Sequence, residues 1–211
     1  MPRSWTGRIG LVLTLAMLAA LAGFLGYRLG EPNSTAQVAE EGPVPLGGPF
    51  TLIDSTGKQV TNRELLGRYA LIYFGYIYCP DICPTALASM ARGLDLLESV
   101  KPAAAQMVQP VFITIDPERD RPEAVGQYVE AFHPRLLGLT GSPEQVAAAA
   151  KGYRVFYQKV NPETSSEYLM DHASNLFLMD PTGRFVTHFP HNATPDRISE
   201  RLEEIVAGAQ S

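Results

Sequence analysis

The chain has 211 residues, a hydrophobic content of 45%, a charged content of 18% and a formal net charge of -5. This composition excludes a wholly disordered chain, and the absence of a basic run gives no indication of nucleic-acid binding. The length suffices for one globular domain together with an anchor or tail.

The N-terminal part contains an uncharged, apolar stretch, Ile9 to Tyr27, between Arg8 and Arg28. As a helix it would extend ~28 Å, close to the thickness of a bilayer's hydrocarbon core. Basic residues before the stretch favour a cytoplasmic N-terminus. The pattern therefore predicts a cytoplasmic segment at 1–8 and a transmembrane signal anchor at 9–27. A cleaved signal peptide ending near Ala22 is the alternative.

Both interpretations carry the remainder of the chain across the membrane. Both therefore predict a globular domain in a bacterial periplasm. The anchor, which is the favoured interpretation, predicts in addition a single-span protein of the inner membrane. Residues 28–48 are rich in Pro, Gly, Glu and Ser without periodicity, which predicts a flexible tether. The globular domain is expected at 49–211.

Strand and helix patterns alternate through this domain. The strands are predicted at 50–53, 59–61, 68–78, 108–116, 136–139, 155–160, 175–179 and 185–189. Helices are predicted after the cysteines, around 125–132, from Pro143 to Gly152, and from Pro195 with Thr194 as its cap. Such alternation predicts an α/β domain with a central sheet and helices on both faces.

The two cysteines of the chain, Cys79 and Cys83, follow a predicted strand and precede a predicted helix. A strand-to-helix junction is where a thioredoxin-like domain keeps its reactive thiols. N–H groups at a helix start favour the thiolate, which binds metals and attacks disulfides. Two thiolates suit Cu(I), zinc or an iron–sulfur centre. One added imidazole would complete a three-coordinate copper site.

Four histidines are candidates for that imidazole. His133 precedes a proline at a helix end, which favours a capping role. The His188 and His191 pair has helical spacing but lies near a strand end, so a joint metal site there is poorly supported. His172 lies in a predicted loop, Met170 to Asn175. Taken alone, a histidine in a loop is more often solvated or hydrogen-bonded than a metal ligand.

Three segments in order resemble the SCO/SenC family. They are the cysteine segment 75–84 (GYIYCPDICP), the segment 114–120 (TIDPERD) and the histidine loop 171–174 (DHAS) with the following 178–183 (LMDPTG). The resemblance covers about residues 48 to 207. It departs from the family pattern at Tyr78, where a small polar residue is common.

The resemblance implies a thioredoxin-like fold with a central mixed β-sheet, and copper ligation, as Cu(I) or Cu(II), by Cys79, Cys83 and His172. It also implies a metallochaperone for the dinuclear copper site of cytochrome c oxidase subunit II, supplied by a copper donor chaperone. Asp116 and Asp171 are expected to orient the ligands. Alternatively, Asp116 caps a turn and Asp171 faces water.

Three other functions compete with copper delivery. The first is a membrane-anchored thiol–disulfide oxidoreductase, in which Cys79 and Cys83 cycle through a disulfide and reduce the same subunit II cysteines or another exported protein. Its drawback is the spacing of three residues between the thiols, where redox thioredoxins have two. A peroxiredoxin-like peroxidase lacks the matching Thr and Arg pattern. A purely structural disulfide would constrain too few residues to stabilise the fold appreciably.

Overall fold

A computed structural model describes residues 16–21, 23–24, 46–161 and 167–208. The chain divides into two units, Met1–Val44 and Pro45–Ser211. In the first unit, residues 16–21 and 23–24 are helical. The predicted cytoplasmic segment 1–8, most of the predicted anchor 9–27 and residues 28–45 of the predicted tether lie outside the described residues. None of the helices in the described ranges combines the length and the apolar character that crossing a bilayer requires.

Among its described residues, the second unit is built on a seven-stranded mixed sheet. The strands are β1 (Thr51–Asp54), β2 (Gln59–Thr61), β3 (Tyr69–Gly75), β4 (Val108–Thr114), β5 (Leu137–Thr140), β8 (Leu176–Met179) and β9 (Phe185–Phe189). Their order across the sheet is β2-β1-β5-β4-β3-β8-β9. Strands β3, β4 and β5 are parallel, and the other pairs are antiparallel. The predicted α/β fold with a central mixed sheet is therefore confirmed.

The helices that flank the sheet are α1 (Ile82–Val100), α2 (Pro102–Gln106), α3 (Pro122–Glu130), α4 (Pro143–Gly152) and α5 (Pro195–Gly208). Their starts follow the predicted chemistry. Pro143 occupies the first turn of α4, and the Ser142 hydroxyl accepts a hydrogen bond from the Gln145 N–H. Similarly, the Thr194 hydroxyl accepts from the Arg197 N–H at 3.3 Å, which confirms the predicted cap of α5.

The central strands β3 and β4 are almost entirely buried, because they are covered on both faces. Neighbouring residues of β3 point to opposite faces. Phe74 packs against Tyr153 at the end of α4. Tyr73 shares the other face with its register partner Phe112, which contacts Tyr128 of α3. Helices therefore cover both sides, as the alternating pattern predicted.

One region differs from the sequence-based prediction. The predicted loop at 170–175 is in part a strand, β7 (Leu169–His172), which pairs with β6 (Tyr157–Val160) in a separate two-stranded sheet. Tyr157 lies opposite His172 in this antiparallel register. The backbone hydrogen bonds of this small sheet thus fix the position of His172, which the prediction left in a loop.

Candidate metal centre

The cysteines lie at the carboxyl end of β3, where the chain leaves the sheet and enters α1. The predicted strand at 68–78 ends earlier, at Gly75, because the next residues form a turn in which the Cys79 N–H donates to the Tyr76 carbonyl at 3.3 Å. Cys79 follows in the loop, and Cys83 is the second residue of α1. Both thiols are free; Cys83 is completely buried and Cys79 is partly exposed.

The pKa values of the two thiols are shifted in opposite directions. Hydrogen bonding with Cys83 lowers the pKa of Cys79 far below the ordinary thiol value, against the opposing effect of its partial burial. His172 and the N–H groups of Asp81 and Cys83 lower it further. The Cys83 N–H, for example, donates to the Cys79 sulfur at 3.3 Å. The hydrogen bond with Cys79, together with burial, raises the pKa of Cys83. The two shifts therefore favour the thiolate form of Cys79 and the protonated form of Cys83.

His172 meets the cysteines from the other sheet. Its Nε2 lies 3.5 Å from the Cys83 sulfur, although 89 residues separate the two in sequence. On the other side of the ring, Nδ1 lies 3.1 Å from the Ala173 carbonyl oxygen. In the tautomer with its proton on Nδ1, the imidazole donates to that carbonyl and directs the Nε2 lone pair at Cys83, as a metal ligand requires. A proton on Nε2 instead points at the sulfur atoms, and a hydrogen bond of this kind lowers the pKa of Cys79. The ring is also held edge-on between Tyr73 and Tyr76, at centroid distances of 6.3 and 6.0 Å.

An open cleft of about 410 Å³ leads to these groups. The cysteine loop, strand β7, Ser174 and Val160 line it. Within the described ranges, no three or more His, Cys, Asp or Glu side chains are already gathered around one point as a metal site. The structure thus places the Cys83 sulfur beside His172 Nε2, and Cys79 within hydrogen-bonding reach of both Cys83 and His172. Two sulfur donors and one imidazole nitrogen are nevertheless a donor set that fits copper chemically.

Asp116 is buried, and its carboxylate bonds to Arg119 and Tyr168 rather than to the cysteines or His172. Its Oδ2 accepts from Arg119 Nε at 2.6 Å, and its Oδ1 accepts from the Tyr168 hydroxyl at 2.8 Å. The Arg119 guanidinium stacks on the Tyr168 ring at 3.7 Å and donates to the Tyr168 carbonyl. Asp116 therefore ties the residue preceding β7 to the end of β4. It contributes to the position of His172 through the strand that carries it.

Asp171 and the other histidines lie apart from this arrangement. The Asp171 side chain is exposed at the rim of the cleft, opposite Gln158 in the β6–β7 register. His133 is buried, and its Nδ1 accepts from the Arg135 N–H in the loop after α3, so it does not cap the helix as predicted. His188 stacks on Phe185 in β9, and His191 is exposed. A direct role of Asp171 toward the proposed ligands stays a prediction.

The sequence of this chain matches a known protein family over most of its length. The model of the SCO1/SenC family matches residues 38–207, which include every site residue described above. This chain belongs to the SCO1/SenC family. Among the relatives, the mitochondrial SCO1 homolog 1 of Arabidopsis thaliana is 42% identical over 172 residues, which are 80% of this chain and 50% of that protein. The chain thus spans half the length of that relative.

A bacterial relative and a solved structure indicate the same family. Protein SenC of Rhodobacter capsulatus is 38% identical over 179 residues, covering 85% of this chain and 75% of that protein. A crystal structure of Arabidopsis thaliana ScoI with copper bound is 41% identical, with a TM-score of 0.71, and the match covers 78% of this chain and 98% of that one. The thioredoxin-like fold implied by the sequence resemblance agrees with this structural match.

Within this SCO1/SenC domain, the structure shows a carboxylate that the sequence analysis did not single out. Asp120 is completely buried and accepts from the Thr114 hydroxyl at 2.6 Å. The same oxygen accepts from the Ile77 N–H at 3.1 Å, in the turn just before Cys79. Asp120 thereby holds the cysteine loop to the end of β4. It lies in the segment 114–120 that carries the family resemblance, but the sequence alone does not separate its role from that of Asp116.

Replacing Asp120 by asparagine is expected to flatten the dependence of stability on pH. Burial raises the pKa of Asp120 from 3.8 to about 6, although its hydrogen bonds oppose the shift. The folded state therefore binds a proton that the unfolded state has lost, so this contribution to stability is complete below pH ~4 and is lost as pH rises through ~6. The loss amounts to on the order of 3 kcal/mol.

Denaturant unfolding of wild type and Asp120→Asn at pH 4 and pH 7 measures this effect, because an amide imitates the protonated acid. The variant is expected to gain on the order of 3 kcal/mol relative to wild type between the two pH values. Asp171→Asn, which changes an exposed carboxylate, is the matched control and should follow wild type. Parallel curves for wild type and Asp120→Asn would show that Asp120 is ionised at both pH values.

Proposed function

We propose that this chain is a copper metallochaperone that holds one copper ion through Cys79, Cys83 and His172. The observation that carries the proposal is the 3.5 Å approach of His172 Nε2 to the Cys83 sulfur, from a different sheet and 89 residues away. For metal-independent disulfide chemistry this histidine is a secondary group, because the hydrogen bond with Cys83 comes before His172 among the groups that lower the pKa of Cys79. The copper bound to the related Arabidopsis protein supports the same assignment.

Copper is the cargo in this proposal, and the arrangement of the residues favours its release. Three protein donors leave coordination positions free, and the cleft opens to solvent beside Cys79. A thiolate of a partner protein can therefore join the metal before a chain ligand leaves it. Of the two sulfur ligands, Cys79 is partly exposed and favours the thiolate form, whereas Cys83 is buried. We infer that Cys79 is the first chain sulfur to meet copper from a donor chaperone and the last to release it.

The recipient that we propose is the dinuclear copper site of cytochrome c oxidase subunit II, as family membership suggests. We further propose that residues 9–27 anchor the chain in the bacterial inner membrane, with the domain in the periplasm. The uncharged stretch between Arg8 and Arg28 supports this topology. Protease treatment of spheroplasts tests it: digestion of the domain without lysis is expected, and full protection would contradict it.

Stoichiometric metal binding tests the copper site. The full-length chain, reduced and kept anaerobic in detergent, is titrated with Cu(I) in competition with a chromophoric Cu(I) chelator. One copper per chain is expected for wild type, and none for the Cys79→Ser/Cys83→Ser double variant, because soft sulfur donors provide most of the affinity for Cu(I). Equal copper retention by both proteins would overturn the proposal.

A second function, thiol–disulfide exchange, is favoured by the different character of the two thiols. A partly exposed thiolate beside a buried, protonated thiol has the properties of an attacking and a resolving cysteine. The Cys79 sulfur would attack a substrate disulfide, releasing one substrate thiolate and forming a mixed disulfide. Cys83, losing its proton, would then displace the second thiolate. The substrate is reduced, the chain is left with a disulfide, and an external dithiol reductant must restore it.

A further inference from the structure

Tyr73 places a buried polar atom beside the proposed copper ligands. Its side chain, in the middle of the sheet on β3, is completely buried. In the described part of the chain the hydroxyl makes no hydrogen bond of ordinary length and angle. The polar side chains within its reach are those of Cys83 and Ser174. An unpaired buried hydroxyl costs free energy, so such groups are uncommon in folded proteins. An unpaired hydroxyl next to a functional site therefore points to a partner that appears only in another state of the site.

The neighbours of the Tyr73 ring are Cys83 and His172. A Cβ at Gly75 would lie 2.8 Å from Cε1 of Tyr73 and 3.0 Å from the Cys83 sulfur. The ring edge and the sulfur therefore lie within about 6 Å of each other. The same ring meets His172 edge-on, with the centroids 6.3 Å apart. Tyr73 thus adjoins two of the three proposed ligands from the side of the core, away from the cleft.

Once its sulfur binds copper, Cys83 needs a hydrogen-bond donor on the core side of the site. Its thiol is completely buried, whereas a copper ligand must be a thiolate. A negatively charged sulfur without hydrogen bonds in an apolar core is costly. The backbone N–H groups of Asp81 and Cys83 point at Cys79, and the Tyr76 N–H is the backbone donor near Cys83. A thiolate sulfur accepts more than one hydrogen bond. The Tyr73 hydroxyl is the buried O–H next to Cys83.

We propose, resting on the copper-binding function above, that Tyr73 is a positioning residue whose hydroxyl donates a hydrogen bond to the Cys83 sulfur in the copper-loaded protein. The unpaired hydroxyl and the buried thiolate, each costly alone, then satisfy one another. A hydrogen bond to a thiolate ligand withdraws electron density from the sulfur. It therefore lowers the energy of Cu(I) relative to Cu(II) and raises the reduction potential of the bound metal.

The proposal predicts opposite effects of Tyr73→Phe on the two states of the protein. The metal-free variant should be as stable as wild type or more stable, because it loses a hydroxyl that had no partner. Its affinity for Cu(I) should fall about ten-fold or more, the usual scale for a hydrogen bond to a charged group. The sulfur-to-Cu(II) charge-transfer band should move to lower energy, because the sulfur becomes the stronger donor.

Tyr128→Phe is the matched control. Tyr128 also carries a buried hydroxyl without a hydrogen-bond partner among the described residues, but its ring packs on Phe112 and Phe132. Full-length wild type and both variants are compared by denaturant unfolding without metal, by Cu(I) competition titration and by the absorption spectrum with Cu(II). The expected outcome is a copper effect in Tyr73→Phe alone.

Each remaining outcome has a definite meaning. Equal Cu(I) affinity and an unmoved band in Tyr73→Phe would overturn the inference while the copper site itself stands. A metal-free Tyr73→Phe protein less stable than wild type would also overturn it, because the hydroxyl would then already be bonded before copper arrives. Failure of wild type to bind Cu(I) at all would instead contradict the proposed function, so the two failures are distinguishable.

Discussion

The His172→Ala variant is expected to bind Cu(I) at least about 100-fold more weakly than wild type. Loss of a group that only orients a metal ligand typically costs 10–100-fold in metal affinity, so loss of a ligand itself should cost the upper value or more. The fold should tolerate the change, because His172 ends a short strand beside an open cleft and is only partly buried. The backbone pairing of His172 with Tyr157 does not depend on the side chain.

His188→Ala is the matched control for this measurement. His188 lies on β9, where it stacks on Phe185, and it is not part of the proposed donor set. Both variants and wild type are titrated with Cu(I) against the same chelator, and their unfolding free energies are measured without metal. Weak binding by His172→Ala with normal binding by His188→Ala is expected. Equal affinities in all three proteins would remove His172 from the ligand set.

The same variant separates copper binding from thiol exchange. His172 is one of several groups that lower the pKa of Cys79; the hydrogen bond from Cys83 is the first among them. The Cys79 thiolate should therefore persist in His172→Ala, and its rate of alkylation at neutral pH should change only modestly. A protein that loses copper but keeps this reactivity would show that the histidine serves the metal. If copper binding were normal and thiol reactivity collapsed, the oxidoreductase would become the better account.

Most of the fold could be predicted from the sequence because its signals are local. The run of apolar residues in β3 and β4 marks two central strands, and Ser142 and Thr194 mark the starts of α4 and α5. The strand β7 was missed because its four residues, Leu-Met-Asp-His, include no β-branched or aromatic side chain, unlike the equally short β1, β5 and β8. Its partner β6 lies some ten residues earlier, and only the pairing of His172 with Tyr157 reveals the small sheet. Long-range pairing of this kind is not contained in a local pattern.

At the candidate metal centre, too, the contacts between residues far apart in sequence could not be predicted from local patterns. The spacing of Cys79 and Cys83, four residues apart, predicts that they share a site. In the structure the Cys83 N–H donates to the Cys79 sulfur at 3.3 Å. The approach of His172 across 89 residues followed from the family resemblance, not from spacing. Asp116 and Asp120 both follow β4, and nothing in their order shows that Asp120 is the one bonded to the cysteine loop. The hydrogen bond between Asp120 and the Ile77 N–H depends on tertiary packing, so the sequence could not assign it.

Gly75→Ala is expected to lower both the stability of the domain and its copper affinity. The added Cβ would lie 2.8 Å from Tyr73 Cε1, 3.0 Å from the Cys83 sulfur and 3.2 Å from Phe112 Cε2, all of them inside the core. Native Cβ atoms do not approach neighbours so closely, and an extra methyl in a packed core typically costs 1–3 kcal/mol. About 2 kcal/mol of unfolding free energy should therefore be lost, through sterics alone.

Copper affinity should fall because Cys83 cannot keep its place beside the new methyl group. Its sulfur would have to move by several tenths of an ångström, and donor distances in metal sites are defined to about 0.2 Å. We expect at least about a ten-fold weaker Cu(I) affinity, the lower limit for disturbing a ligand's support. Gly138→Ala is the matched control, since its Cβ would lie 2.6 Å from Val125 Cγ1 and 3.1 Å from Val129, away from the thiols.

Denaturant unfolding and Cu(I) competition titrations on these two variants separate the effects of packing from those of the site. Both should lose stability, because each forces a methyl group into the same central sheet. The loss of copper affinity should occur in Gly75→Ala alone, because only there does the methyl group press on a proposed ligand. Equal copper affinities in the two variants would mean that the Cys83 sulfur is free to move without cost to the metal. In that case the buried position of Cys83 would serve the fold, and Cys79 with His172 would carry the copper affinity.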